Sequence, residues 1–301
     1  MSQPPTESAA GTTVGPQSST PAGVVVAGVD GSPDSERAVD WAFAEAGRLG
    51  CRVHLVFALP VLVDDPAAPD VRPTMSALGH EFLADAAARR PGDFEGEVTQ
   101  TVIAAPAAPG LVDASSRASM VVVGSRGHGG FAGLIMGSVS QHVARHARCP
   151  VAVVREPADP GSDRIVVGVD YSDPARAAME FAVDLAPAAQ ASVSAIRAWR
   201  GRVVVGADAL VAVPQYAPDR GQEEQALLDA WLANGPAARP DVPVVAEAVE
   251  GHPARVLCQA SAQARAVVVG CRGRGAFAGL LLGSTSQEVL HHAHCTVVVV
   301  R

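Results

Sequence analysis

The stretch Val121–Arg155, VVVGSRGHGGFAGLIMGSVSQHVARHARCPVAVVR, returns as Val267–Arg301, VVVGCRGRGAFAGLLLGSTSQEVLHHAHCTVVVVR, with 23 identities in 35 positions at a constant offset of 146. Chance does not produce such a match, so the chain is an internal duplication. A second match extends it: VVVAGVD at Val24–Asp30 returns as IVVGVD at Ile165–Asp170, with Asp30 and Asp170 offset by 140. The offset grows by about six residues, which places an insertion in the second copy between its second strand and its rear half. The join is Glu156–Asp163 (EPADPGSD), a Pro/Gly/Asp stretch of the kind that separates domains. The expected organisation is a tail over 1–22, a first domain over 23–156, a linker over 157–163 and a second domain over 164–301.

Working outward, each copy alternates strand and helix. Val24–Val29 is a short apolar run suited to a strand buried on both faces. Gly31-Ser32-Pro33 make a turn, with Asp34 or Ser35 as the expected helix cap, and Ala38, Trp41, Ala42, Ala46 and Leu49 repeat at helical spacing. Strands follow at Val53–Ala58, Glu97–Ile103, Met120–Val123 and Val151–Val154, with helices expected at Ser76–Arg89, Leu111–Arg117 and Ser138–Arg148. This order predicts an α/β fold: two tandem doubly wound domains, each with a five-stranded, mainly parallel sheet. Ligands of such sheets sit at the carboxyl ends of the strands. The terminal strands Val151–Val154 and Val297–Val300 would each leave an open edge. Pairing them within one chain gives an intramolecular pseudo-dimer, and the same surface logic leaves room for a homodimer of whole chains.

Composition narrows the function. The chain carries a formal charge of −8, which argues against a nucleic-acid or membrane-surface binder. All 23 basic residues are arginine, so mechanisms that need a Walker A lysine, a Schiff base or a kinase-type lysine are excluded. Five cysteines (Cys51, Cys149, Cys258, Cys271, Cys295) show no Cys-x-x-Cys pair, and with no secretory signal they fit reduced thiols in a cytoplasm. Residues 1–22 are rich in Ser, Thr, Pro, Gln and Gly and read as a disordered tail. No apolar run reaches the roughly 20 residues needed to span a bilayer.

Chemistry concentrates after the fourth strand. Copy one reads Gly124-x2-Gly127-x9-Gly137-Ser138 and copy two Gly270-x2-Gly273-x9-Gly283-Ser284. Glycines let backbone approach a ligand, and a helix start offers unpaired N–H donors and a favourable dipole, so the pattern suits a phosphate cradle. The hydroxyls of Ser138, Ser284, Ser140 and Ser286 add donors, and Arg126, Arg272 and Arg274 add local positive charge. The plainer alternative is that the glycines serve turns and close helix–strand packing. A Rossmann reading fails, because its glycines should follow the first strand, where this chain has Asp30-Gly31-Ser32-Pro33-Asp34.

These residues resemble the universal stress protein family over nearly the whole chain after the tail. The likeness rests on the first strands, on the Gly-x2-Gly-x9-Gly-Ser signature and on Cys149-Pro150-Val151. It implies an adenine nucleotide alpha hydrolase-like fold and, from the nucleotide-binding branch, ATP, with Mg2+ as its companion ion. Carried over by motif position, copy one would use Gly28, Asp30, Ala58, Val123, Gly124, Gly127, Gly137, Ser138, Val139 and Ser140. Copy two would use Gly168, Asp170, Ala198, Val269, Gly270, Gly273, Gly283, Ser284, Thr285 and Ser286. Copy two departs from the family pattern with Tyr171 for glycine, where the ring would crowd the ligand mouth, and with Thr285 and Thr296; copy one departs at Ala105.

Three functional classes follow: a regulatory nucleotide-binding protein in stress or dormancy, a slow ATPase or autophosphorylating enzyme, and an interaction protein without ligand. Intact glycine spacing speaks against the third, and the lack of a base–nucleophile pair or acidic metal cluster against efficient phosphoryl transfer. Asp30 and Asp170 more often serve as hydroxyl acceptors than as bases. His291, His292 and His294 point different ways around a helix and read as a solvated end rather than a metal site. Cys149 and Cys295 are expected to be buried.

Overall fold

The computed structural model describes residues 23–59, 71–127, 136–200, 203–205, 212–214, 219–235, 241–274 and 281–301, with backbone alone at 203–205 and 212–214. The tail expected at 1–22, the loop at 60–70 and the centres of both glycine loops lie outside these residues. The first half runs β1 (Val24–Val29), α1 (Pro33–Leu49), β2 (Arg52–Ala58), α2 (Arg72–Ala88), β3 (Val98–Ile103), α3 (Ala107–Ala114), β4 (Met120–Gly124), α4 (Ser138–His146) and β5 (Val151–Val154). The second repeats it as β6 (Arg164–Gly168), α5 (Asp173–Ala189), β7 (Ser192–Trp199), α6 (Arg220–Ala233), β10 (Val244–Glu250), α7 (Pro253–Ala260), β11 (Ala266–Gly270), α8 (Ser284–His292) and β12 (Thr296–Val300). A small hairpin, β8 (Val203–Val205) with β9 (Ala212–Pro214), falls where the sequence placed the insertion. No helix of the described residues is long and apolar enough to cross a membrane.

The two five-stranded sheets join into one of ten strands, in the order β10-β7-β6-β11-β12-β5-β4-β1-β2-β3. Within the ten-stranded sheet the pairs inside each half are parallel, and the seam, β12 with β5, is antiparallel. Its register is Val297 to Val153, Val298 to Ala152 and Val299 to Val151. Under the repeat offset of 146, Ala152 and Val298 are equivalent and the flanking pairs exchange, as in an isologous contact of identical strands. The pseudo-two-fold axis therefore passes through the Ala152–Val298 pair.

Runs of valine make this possible, since strands buried on both faces carry no polar side. Val121, Val122, Val151, Ala152, Val153, Val297, Val298 and Val299 are all fully buried. One core lies under α1, α2, α5 and α6 and includes Phe43, Leu83, Met179 and Leu228. The other lies under α3, α4, α7 and α8 and includes Leu111, Val143, Leu257 and Leu290. Both cores draw on residues of each half.

Local chemistry sets the helix ends. The cap of α1 is Ser32, not Asp34 or Ser35: its hydroxyl accepts from the Ser35 N–H and Pro33 sits in the first turn, where its missing N–H is harmless. Ser172 does the same for α5. Helix α3 starts four residues earlier than its periodicity predicts, because Pro109 is tolerated in a first turn. It stops where the Ser115 and Ser116 hydroxyls donate to the carbonyls of Val112 and Asp113.

The halves also grip each other reciprocally. Arg155, at the end of β5, donates to the Leu290 and Ala293 carbonyls at the end of α8, at 2.7 and 2.6 Å. Arg301, its repeat equivalent, donates to the Ala144 carbonyl in the last turn of α4 at 2.7 Å.

Candidate functional site

In copy one the site is assembled from the end of β1 outward. Asp30 Oδ1 accepts from the Ser32 N–H at 3.0 Å and the Ser32 hydroxyl at 2.6 Å, so the carboxylate, the cap and the first turn of α1 form one chain of bonds. The loop after β4 lies against that carboxylate: a Cβ on Gly127 would stand 2.1 Å from Asp30 Oδ2. Gly124 is equally constrained, since its Cβ would fall 2.7 Å from the backbone carbon of Asp34 in α1. On the other side of the sheet Gly28 meets Leu111 of α3 and the Val123 side chain, whose contacts with an added Cβ would be 3.1 and 3.4 Å. The far end of the loop is tied back, with the Gly137 N–H on the Ser125 carbonyl at 2.8 Å and the Ser140 hydroxyl on the Gly124 carbonyl at 2.5 Å.

What this leaves open is the start of α4. Gly137 is its cap and supplies no side-chain acceptor, and the Gln141 N–H bonds back to the Gly137 carbonyl. The N–H groups of Ser138, Val139 and Ser140 precede that bond and have no acceptor within the helix. They carry the positive end of the dipole, and Ser138 is exposed beside them. The structure thus brings Gly28, Asp30, Val123, Gly124, Gly127, Gly137, Ser138, Val139 and Ser140 to one end of the sheet. Ala58 ends β2, on the far side of β1 from β4. The Ser140 hydroxyl, expected as a ligand donor, has its hydrogen committed to Gly124.

Copy two repeats the arrangement. Added Cβ atoms on Gly273, Gly270 and Gly168 would fall 2.2 Å from Asp170 Oδ2, 2.7 Å from the Pro174 backbone and 2.9 Å from Leu257. Ser172 bonds Asp170 through its N–H and its hydroxyl, the Arg274 N–H bonds Asp170 Oδ2 at 2.9 Å, and the Ser286 hydroxyl takes the Gly270 carbonyl at 2.7 Å. The Gly283 N–H closes the loop onto Cys271, Val269 flanks it at the end of β11, and Ser284 and Thr285 open α8. Ala198 sits near the end of β7.

Among the differences between the copies is Asp34, whose position in the sequence marks it only as a helix cap. Asp34 is 4% exposed and accepts from the Ser125 hydroxyl at 2.6 Å, the Arg126 N–H at 3.1 Å and the Arg37 guanidinium. Burial pushes its carboxyl up, but the bonds from Ser125 and Arg37 and the charges of Arg37 and Arg126 outweigh burial and hold it below the ordinary 3.8. Copy two has Pro174 and Cys271 in place of Asp34 and Ser125, so the pair is lost together and the buried Cys271 needs no redox account. Little local in the sequence marks Asp34: Arg37 follows it by three residues, but Ser125 and Arg126 lie about ninety residues away.

Tyr171 takes the left-handed backbone that Gly31 takes in copy one, at φ 64° against 78°. Its ring packs edge-on against Trp231 of α6 at 5.9 Å and joins the core on that face, with Arg197 and Arg274 over it at 5.0 and 5.4 Å. His291 bonds Gln141 across the seam, and no group of three metal-ligating side chains occurs among the described residues. Cys149 and Cys295 are buried as expected, which pushes their thiols up to about 11 and about 12.

The model of the Universal stress protein family matches the chain twice, over residues 22–155 and 161–301. A universal stress protein of Mycobacterium tuberculosis is 35% identical over 289 residues, covering 92% of this chain and 96% of its own. A second from the same organism is 32% identical over 291 residues, with the same coverage. The crystal structure of a universal stress protein from Archaeoglobus fulgidus superposes with a TM-score of 0.64 at 21% identity, over 93% of this chain and 96% of that one.

Proposed function

The chain belongs to the universal stress protein family as two tandem domains, and from that premise we propose that it is a regulatory protein that binds an adenine nucleotide, ATP with Mg2+, in each half. The observation that carries this is the uncapped start of α4, and of α8, facing a glycine loop beside the first strand. In each half the strand order reverses between β1 and β4, or β6 and β11, and ligands of open α/β sheets bind at such switch points. The N–H groups at Ser138–Ser140 and Ser284–Ser286, which have no acceptor within their own helices, suit phosphate oxygens, with the exposed Arg126, Arg272 and Arg274 as the nearby cations. Asp30 and Asp170 would accept a ribose hydroxyl, and Ala58 and Ala198 would meet the adenine side. With no acidic cluster among the described residues, Mg2+ would be held by the phosphates and water, its common mode.

The test separates ligand from fold. A glutamate at Ser138 or Ser284 sits at the positive end of a helix, where it favours the helix by about 0.3–1 kcal/mol but repels phosphate. Isothermal titration should find two Mg–ATP per wild-type chain, one for Ser138→Glu or Ser284→Glu, and none for the double variant, with no loss of Tm. Unchanged stoichiometry in the double variant would remove the cradle assignment.

A further inference from the structure

In the second half of α4, His142 and His146 stand one turn apart on one face of the helix, at the spacing that brings side chains together. Their rings lie side by side, with centroids 4.1 Å apart and planes 23° from parallel. His142 is exposed and His146 half-buried. The two rings are not equally free. His146 Nδ1 lies 2.9 Å from the His142 carbonyl, while no hydrogen bond holds the His142 ring among the described residues. A carbonyl only accepts, so in the neutral His146 imidazole the proton sits on Nδ1 and Nε2 keeps a bare lone pair.

That bond is what prepares an imidazole for a metal: the second ring nitrogen donates to a carbonyl, which fixes the tautomer and the orientation of the ring. The alternative is a solvated pair with no ligand. The locked tautomer of His146 and the contact between the rings favour a chelate. Copy two has Glu288 and His292 at the equivalent positions, a single imidazole beside a carboxylate, and no such ring–carbonyl bond among the described residues. Around the pair in copy one, no third metal-ligating side chain is in reach among the described residues, and Arg145 adds a like charge near His142. Only metals with a strong preference for imidazole would hold there.

We propose that His142 and His146 chelate one divalent transition metal of the imidazole-binding class, Cu2+, Ni2+ or Zn2+, through two ring nitrogens, with water in the remaining positions. Stacked rings aim their lone pairs in parallel, so closing the chelate requires the unbonded His142 ring to rotate out of the stack. The site is separate from the cradle at the start of α4, and Mg2+ does not substitute in it, because Mg2+ prefers oxygen ligands. A metal held across one turn binds the helix and not the unfolded chain, and so stabilises the end of α4.

Titration calorimetry of the tag-free full chain with Ni2+ at neutral pH tests this, with Zn2+ as a competing probe and Mg2+ as the control. No nucleotide is present, so the outcome is independent of the cradles. One Ni2+ per chain is expected at this site, displaced by Zn2+. His142→Asn or His146→Asn removes one arm of the chelate and should weaken binding at least tenfold, because the second bond is intramolecular only while both arms remain. His142 is exposed, so its variant should keep the metal-free Tm. His292→Asn should bind Ni2+ as the wild type does. In proton–nitrogen spectra of the imidazoles, Ni2+ should broaden His142 and His146 before the other histidines. Absence of saturable Ni2+ binding, Mg2+ binding of equal strength, a site insensitive to either variant, or loss of the site in His292→Asn would overturn the proposal.

Discussion

At the scale of single residues, Asp34 does the most with the least warning. One buried carboxylate ties α1 to the loop after β4 through Ser125, Arg126 and Arg37. Asp34→Asn keeps the shape and removes the charge, and should cost about 2 kcal/mol, the scale of hydrogen bonds to a charged group. Because the folded carboxyl is held below its ordinary value, this stability is present above the unfolded pKa near 3.8 and is lost as pH falls through the folded pKa. Urea unfolding of both proteins from pH 7 down to pH 3 should show the gap closing below about pH 4. A gap that stayed constant over that range would assign the effect to packing instead. The glycines show how far the sequence could be read. Their spacing marked the loop correctly, yet the structure gives Gly124 and Gly127 packing reasons of their own, against Asp34 and Asp30. Gly127→Val would therefore damage the fold as well as any ligand site, which is why the charge at Ser138 is the cleaner probe.

At the scale of elements, α4 and α8 each start at a glycine loop and end in an arginine of the opposite half. Arg155→Met would keep most of the buried stem and leave the Leu290 and Ala293 carbonyls without their donor. A loss of about 2 kcal/mol is expected, with faster amide exchange in the last turn of α8 than in α4. Arg301→Met should mirror it, with α4 the helix that frays. If either variant loosened both helices equally, the caps would not act locally. Existence and type of the elements were legible from periodicity, while their ends were not. The start of α3 moved because Pro109 fits a first turn, and the cap of α1 moved because Ser32 is also held by Asp30.

At the scale of the molecule, the seam makes one body of two domains. Strand β12 lies between β11 and β5, so the last residues of the second half complete the sheet of the first. Deleting residues 296–301 would open the edges of β11 and β5 and remove the Arg301 cap from α4. Amides of β4 and β5 should then exchange faster along with those of β11, and the protein should self-associate through the bared edge. First-half amides that kept wild-type protection would show that the halves are stable separately.

The sequence by itself determined the duplication, the strand–helix alternation, the placement of the glycine loops and the family, because these are properties of period and spacing. It also excluded lysine chemistry outright. Only the tertiary structure decided that the two terminal strands meet in register about Ala152 and Val298, that Asp34 is paired with Ser125, and that Arg155 closes the end of α8 in the opposite half. Those facts join residues of the two halves, or residues about ninety apart within one. Hydrophobic period fixes which face of an element is buried. It carries no record of which distant charge that burial leaves paired or alone.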